Sequence, residues 1–64
     1  MEYKRIDGKT PMGGDYSEIW YLDEQGEVVE EERATKCIVR ECLEDGTVIA
    51  STRGNIRHGS QSNR

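Results

Sequence analysis

The sequence contains no phenylalanine, one proline and few aromatic residues of any kind. One tryptophan and three tyrosines are its aromatic side chains, and hydrophobic residues make up 33% of its 64 residues. A chain this short buries only about 60% of the surface that its unfolded form exposes, so we expect a thin core. The predicted core residues come from the apolar segments and are Trp20, Tyr16 or Tyr21, Ile19, Leu22, Ile38, Val39, Leu43, Val48 and Ile49.

Long apolar runs are also missing from the sequence. The first residues hold no apolar stretch of the roughly 7–15 residues that a signal peptide requires. No run approaches the roughly 20 apolar residues of a membrane-spanning helix. We therefore expect a cytoplasmic protein that has no membrane partner.

Cysteine occurs twice, at Cys37 and Cys42, within one predicted strand. Residues five apart on a strand point to opposite faces and lie roughly 16 Å apart, at about 3.3 Å per residue. A disulfide needs Cα atoms within about 7 Å of each other. We predict two free thiols in a reducing compartment, and a disulfide between two copies of the chain is the open alternative.

Residue patterns that carry chemistry are incomplete in this sequence. A structural zinc site uses four ligands, and the candidates here are Cys37, Cys42 and His58. Residues 8–10 read Gly-Lys-Thr, like the end of a phosphate-binding P-loop, but the first glycine of that motif is absent. We predict no catalytic residues, no metal and no cofactor, and hence a protein that is not an enzyme.

Charge is unevenly distributed along the chain, whose net charge is −4. Residues 15–45 hold eleven acidic and three basic residues, which gives this segment a charge of −8, while residues 46–64 hold three arginines and no acid. An acidic segment repels nucleic-acid phosphates and speeds the encounter with a basic protein surface. We therefore expect a basic protein partner, and we consider direct nucleic-acid binding unfavourable.

The first half of the chain contains two predicted strands, at residues 2–6 and 16–22. The loop between them, residues 7–15, holds the only proline and three of the seven glycines. Period-two alternation in the second strand places Tyr16, Glu18, Trp20 and Leu22 on one face and Ser17, Ile19 and Tyr21 on the other. Because both faces are partly apolar, we predict that this strand is central in its sheet or that one of its faces contacts another chain.

A turn at residues 23–26 is predicted next, followed by an extended segment at 27–29. Residues 30–36 favour one or two helical turns, because acids precede bases and match the helix dipole. An alternative continues this helix to Leu43. The β-branched pair Ile38-Val39 favours a strand instead.

The Asp45-Gly46 pair predicts a two-residue hairpin loop. This loop would place Leu43 opposite Val48 and Glu41 opposite Ala50. The predicted fold is mainly β, of the small β or α+β class: an antiparallel meander of three to four strands with one short helix. Residues 1–53 form one domain, and residues 54–64 form a polar tail that we expect to be disordered.

These features indicate a small acidic interaction module that acts as an inhibitor or regulator on a basic protein surface. A homodimer is expected as well, because the core is small. A nucleic-acid mimic that blocks a DNA- or RNA-binding enzyme is one alternative, and a structural homo-oligomer without intrinsic activity is another. The candidate partner-binding residues are aromatic or acidic and comprise Tyr16, Tyr21, Glu18, Asp23, Glu24, Glu27, Glu30, Glu31 and Glu32.

Overall fold

The computed structural model describes residues 3–56, which form a single antiparallel sheet. Its strands are β1 (Tyr3–Asp7), β2 (Tyr16–Leu22), β3 (Lys36–Cys42) and β4 (Val48–Asn55). They lie in the order β1-β2-β3-β4, so each strand pairs with the next one along the chain. The predicted meander is therefore confirmed, and β2 is an interior strand as its two partly apolar faces indicate.

The register of the strands assigns each side chain to one of two faces. Tyr3 lies opposite Trp20 on β2, and Trp20 lies opposite Ile38 on β3. The face that these three share is called the Trp20 face and carries Tyr3, Arg5, Asp7, Tyr16, Glu18, Trp20, Leu22, Lys36, Ile38, Arg40, Cys42, Val48, Ser51, Arg53 and Asn55. The other is called the Ile19 face and carries Lys4, Ile6, Ser17, Ile19, Tyr21, Cys37, Val39, Glu41, Ala50 and Thr52.

Few side chains are fully buried in this sheet. The buried apolar residues are Tyr16, Ala34 and Cys42. Val48 and Ile49 are 46% and 39% exposed, so their predicted place in the core is wrong. Both lie on β4, which among residues 3–56 has a neighbouring strand on one side only.

The two cysteines lie on opposite faces of β3, and both are free thiols. This placement confirms the expectation from their spacing.

Segment 30–43 is a short helix followed by a strand, and the long-helix alternative is wrong. The helix is a single 3₁₀ turn at Glu31–Arg33, and β3 begins at Lys36. β3 pairs with a strand on each side, a setting that suits the β-branched pair Ile38-Val39.

The turns at residues 23–27 and 43–47 have the same construction. In each, the first N–H bonds to the fifth carbonyl and the fourth N–H bonds back to the first carbonyl. The fourth residue is Gly26 in one and Gly46 in the other, with φ of +85° and +94°, values that glycine adopts readily. An aspartate side chain caps each turn, since Asp23 Oδ1 accepts from the N–H of Glu27 and Asp45 Oδ1 accepts from that of Thr47.

The predicted two-residue loop at Asp45-Gly46 is wrong, because the loop is one residue longer and comprises residues 44–46. The N–H of Leu43 bonds to the carbonyl of Thr47, and the register shifts between Glu41 and Cys42. Cys42, rather than Leu43, therefore lies opposite Val48. Beyond this bulge the predicted pairing of Glu41 with Ala50 is confirmed.

β4 runs to Asn55, two residues past the predicted domain end at residue 53. The N–H of Ile56 donates to the carbonyl of Thr35 at 2.9 Å and continues this pairing. The remainder of the predicted tail, residues 57–64, lies outside the described residues, as does Glu2 of the first predicted strand.

The loops 8–15 and 43–47 close one end of the sheet, called the glycine-loop end. Thr10 and Gly14 are buried there, and the Gly14 N–H donates to Thr10 Oγ1 at 2.7 Å. The Asp15 N–H donates to the carbonyl of Cys42, while Asp15 Oδ2 accepts from the N–H of Glu44. Asp15 thus ties the two loops together.

Candidate protein-binding cleft

Residues 23–35 form the opposite end of the sheet, called the acidic end. This segment has six acidic residues and one basic residue, a net charge of −5. The acidic residues are Asp23, Glu24, Glu27, Glu30, Glu31 and Glu32.

After the turn at 23–27 the chain runs beside the last residues of β2. Val28 bridges to Leu22, and the Val29 N–H donates to the carbonyl of Tyr21 at 3.0 Å. Tyr3 of β1 already pairs with Trp20 on that side of β2. Pairing by the chain after Val29 is therefore blocked, which explains why the predicted extended segment 27–29 forms a single bridge instead of a strand.

A cleft with a volume of about 490 Å³ lies between this segment, β1 and β2. The residues that line it are Tyr3, Lys4, Tyr21, Val28, Val29, Glu30 and Glu31. Tyr21 and Val29 are half-buried, whereas Glu30 and Glu31 are exposed. An aromatic and aliphatic wall beside two carboxylates can receive a side chain that is both apolar and basic, such as the stem and head of lysine or arginine.

Three of the nine predicted partner-binding residues line this cleft. They are Tyr21, Glu30 and Glu31. Glu27 and Glu32 are exposed on the same segment and add negative charge around it.

Asp23 and Glu24 have other contacts at the acidic end. Asp23 Oδ1 accepts hydrogen bonds from the N–H groups of Gln25 and Glu27, both at 2.9 Å, so this carboxylate stabilises the turn. Glu24 Oε1 lies 3.9 Å from Lys36 Nζ, and both side chains are largely exposed. Such surface pairs contribute little to stability.

The structure separates Tyr16 and Glu18 from the acidic end. Tyr16 is 6% exposed, so it offers a partner little surface, and its role in partner binding stays a prediction. The Arg5 guanidinium lies 3.8 Å from the centre of its ring. Burial raises the pKa of the Tyr16 hydroxyl, and the neighbouring Cys42 thiol raises it further. Glu18 lies on the Trp20 face, where its carboxylate accepts from Trp20 Nε1 at 3.1 Å.

The Trp20 side chain contacts aromatic and charged neighbours on its own face of the sheet. The Tyr3 ring centre lies 4.8 Å away, and the Arg40 guanidinium lies 5.5 Å from the indole centre. Beside them, the hydrogen bond from Arg5 to Asp7 at 2.8 Å raises the pKa of the Arg5 guanidinium. The aromatic and charged side chains around Trp20 therefore contact one another.

A second cleft of about 630 Å³ opens on the Trp20 face beside the turn at 24–26. Lys36 and Arg53 line it together with Glu24. Two cations against one carboxylate make this cleft unfavourable for a basic partner.

Sequence reasoning missed four residues of the first cleft: Tyr3, Lys4, Val28 and Val29. The pair Val28-Val29 gave a usable signal, because it is the one apolar pair within residues 23–35. Tyr3 and Lys4 gave none, since their position depends on the pairing of β1 with β2.

Comparison with known proteins finds no matching family model, no matching curated protein and no matching solved structure. Within residues 3–56, no cluster of three or more His, Cys, Asp or Glu side chains is placed to hold a metal ion. That part of the chain also contains no helix whose length and apolarity would let it span a membrane.

Proposed function

We propose that this chain is a protein-interaction module that docks on a basic protein surface through the cleft at the acidic end, and that it acts there as an inhibitor or regulator. One observation carries the proposal: Tyr21 lies in the same cleft as Glu30 and Glu31. Carboxylates steer a basic partner into encounter, and apolar contacts in a cleft hold it afterwards.

The partner segment that fits this site carries lysine or arginine next to apolar side chains. The surrounding charge of −5 over residues 23–35 favours it at long range. The nucleic-acid mimic has less support, because Glu18 stands on the Trp20 face and is bonded to Trp20 instead of joining the acidic end.

The homodimer is part of the same proposal. A sheet in which Tyr16, Ala34 and Cys42 are the buried apolar side chains gains stability from a second copy.

The test uses a synthetic basic peptide of alternating lysine and leucine and its acidic counterpart with glutamate. Binding is followed by amide chemical-shift changes and by titration at low and high salt. We expect the basic peptide to change the amide chemical shifts of residues around the cleft and to bind with lower affinity as the salt concentration rises. Equal binding of both peptides, or binding of neither, would contradict the proposal.

A matched pair of variants separates the site from general charge. Glu31→Lys and Glu44→Lys make the same change in net charge at exposed positions on opposite ends of the sheet. Glu31→Lys should lower the affinity about five- to tenfold, and Glu44→Lys less than about twofold. Equal losses would mean that net charge alone attracts the peptide, and the cleft would lose its role.

A further inference from the structure

The two edge strands of the sheet differ in how well they are protected against pairing with another chain. β1 has five residues, of which Lys4, Arg5 and Asp7 are charged. β4 has eight residues, a single charge at Arg53 and no proline. Natural sheets protect their edges with short strands, charges and prolines. By these criteria β1 is protected and β4 is open.

The hydrogen bonds of the sheet define which backbone groups of β4 point away from β3. The carbonyl of Leu22 points towards β3, where it accepts from the Thr35 N–H. The carbonyl of Tyr21 points away from β3 and accepts from the Val29 N–H. Alternate residues of a strand bond to opposite sides. Carried through the register, this alternation directs Ala50, Thr52 and Gly54 towards β3, and Ser51, Arg53 and Asn55 away from the sheet.

We infer that the homodimer proposed above forms at this edge, by antiparallel pairing of β4 with β4 of a second copy to give a continuous eight-stranded sheet. The occupant is a second copy because β4 can pair with itself, in a register centred on Thr52, without placing like charges opposite each other. Centred on Thr52, that register pairs Ser51 with the partner's Arg53 and places Thr52 opposite its own counterpart. Threonine pairs are favourable across strands, whereas a register centred on Arg53 would oppose two guanidinium groups.

The interface leaves the cleft at the acidic end open, because that cleft lies on the β1 side of the sheet. The two proposals are therefore separable. The acidic-end variant Glu31→Lys should dimerise like the unmodified chain, and dimerisation should not weaken as salt rises, because like charges face the edge interface from both copies.

The first experiment is sedimentation equilibrium of the full chain from about 10 µM to 1 mM, a range in which an interface smaller than the standard size is expected to dissociate. Ser51→Pro removes an outward N–H and no hydrogen bond to β3, and it should raise the dissociation constant of the dimer at least about tenfold. Asp7→Pro makes the corresponding change on β1 and should leave the dimer intact. A monomer throughout this range would overturn both the homodimer and its interface.

The second experiment remains decisive if Ser51→Pro does not fold. A residue opposite its own copy in a non-hydrogen-bonded pair has Cα atoms about 4.5 Å apart, within disulfide range. In a Cys37→Ala background, Thr52→Cys should therefore form a disulfide dimer on mild oxidation, and Ala50→Cys should not. If the chain dimerises but Thr52→Cys links no faster than Ala50→Cys, self-association stands and the β4 interface is wrong.

Discussion

The two ends of the sheet use their polar groups in opposite ways. At the glycine-loop end Thr10 and Gly14 are buried, and Asp15 bonds to both loops. At the acidic end Glu30 and Glu31 are exposed beside an open cleft. The glycine-loop end is therefore organised for stability, and the acidic end is the one that we propose for binding. Substitutions at the glycine-loop end should therefore lower stability, whereas substitutions of exposed acidic residues at the acidic end should change binding.

The largest effect is expected from Gly14→Ala at the glycine-loop end. A Cβ atom at this position would lie 2.8 Å from Thr10 Oγ1, 3.0 Å from the Cys42 carbonyl oxygen and 3.2 Å from its nitrogen. Because backbone atoms cannot move aside cheaply, we expect the free energy of unfolding to fall by about 2–3 kcal/mol. Urea denaturation followed by Trp20 fluorescence measures this change.

Gly54→Ala is the control for that substitution. Its Cβ would meet only Cys37 Sγ at 3.6 Å, an ordinary contact. Alanine within a strand restricts the unfolded chain, so stability should rise by up to about 1 kcal/mol. Equal losses in the two variants would contradict the close packing of Gly14 on β3.

A smaller effect of opposite sign is expected at the acidic end, from Thr35→Val. Thr35 Oγ1 is buried and has no hydrogen-bond partner among the described residues. Valine has nearly the same shape and removes this unsatisfied hydroxyl, so the free energy of unfolding should rise by about 1 kcal/mol. Thermal and urea unfolding report the gain.

Thr35→Ser serves as the counterpart, because serine keeps the hydroxyl and loses one methyl group. It should lower stability by about 1 kcal/mol. If valine lowered stability as serine does, the hydroxyl would have to be satisfied in solution, and the acidic end would be as well organised as the other.

The sequence predicted strand positions best where a loop or turn pattern stands directly before and after the strand. β2 was predicted to the residue, because a glycine-rich loop precedes Tyr16 and an acidic turn follows Leu22. The pairing of Glu41 with Ala50 was also predicted, since period-two alternation and one turn determine it. The bulge beside Cys42 was not predicted, because it depends on the hydrogen bond between Leu43 and Thr47.

The candidate site was predicted less well, for a reason that lies in tertiary structure. The turns at residues 23–27 and 43–47 have the same hydrogen bonds, yet only the second turn is followed by a strand. The chain after the first turn runs along the edge of β2 that already pairs with β1. Val28 and Val29 therefore line a cleft together with Tyr3 instead of forming a strand. Composition likewise selected Tyr16 for binding, but its pairing with Cys42 buries it.

The smallest predicted effect concerns Asp45, a carboxylate that serves the turn at the glycine-loop end. Hydrogen bonds from the Thr47 side chain and backbone N–H hold the pKa of Asp45 below its usual value. A pKa that is lower in the folded state adds stability above the unfolded value of about 3.9, and this contribution is lost as pH falls through the folded pKa. Asp45→Asn should therefore flatten the dependence of stability on pH between about 4 and 2, measured by urea unfolding at each pH. Glu44→Gln removes a neighbouring negative charge and is the control. If both variants kept the slope of the unmodified chain, the Asp45 carboxylate would not be bound to Thr47 in solution, and the glycine-loop end would lose one of its stabilising contacts.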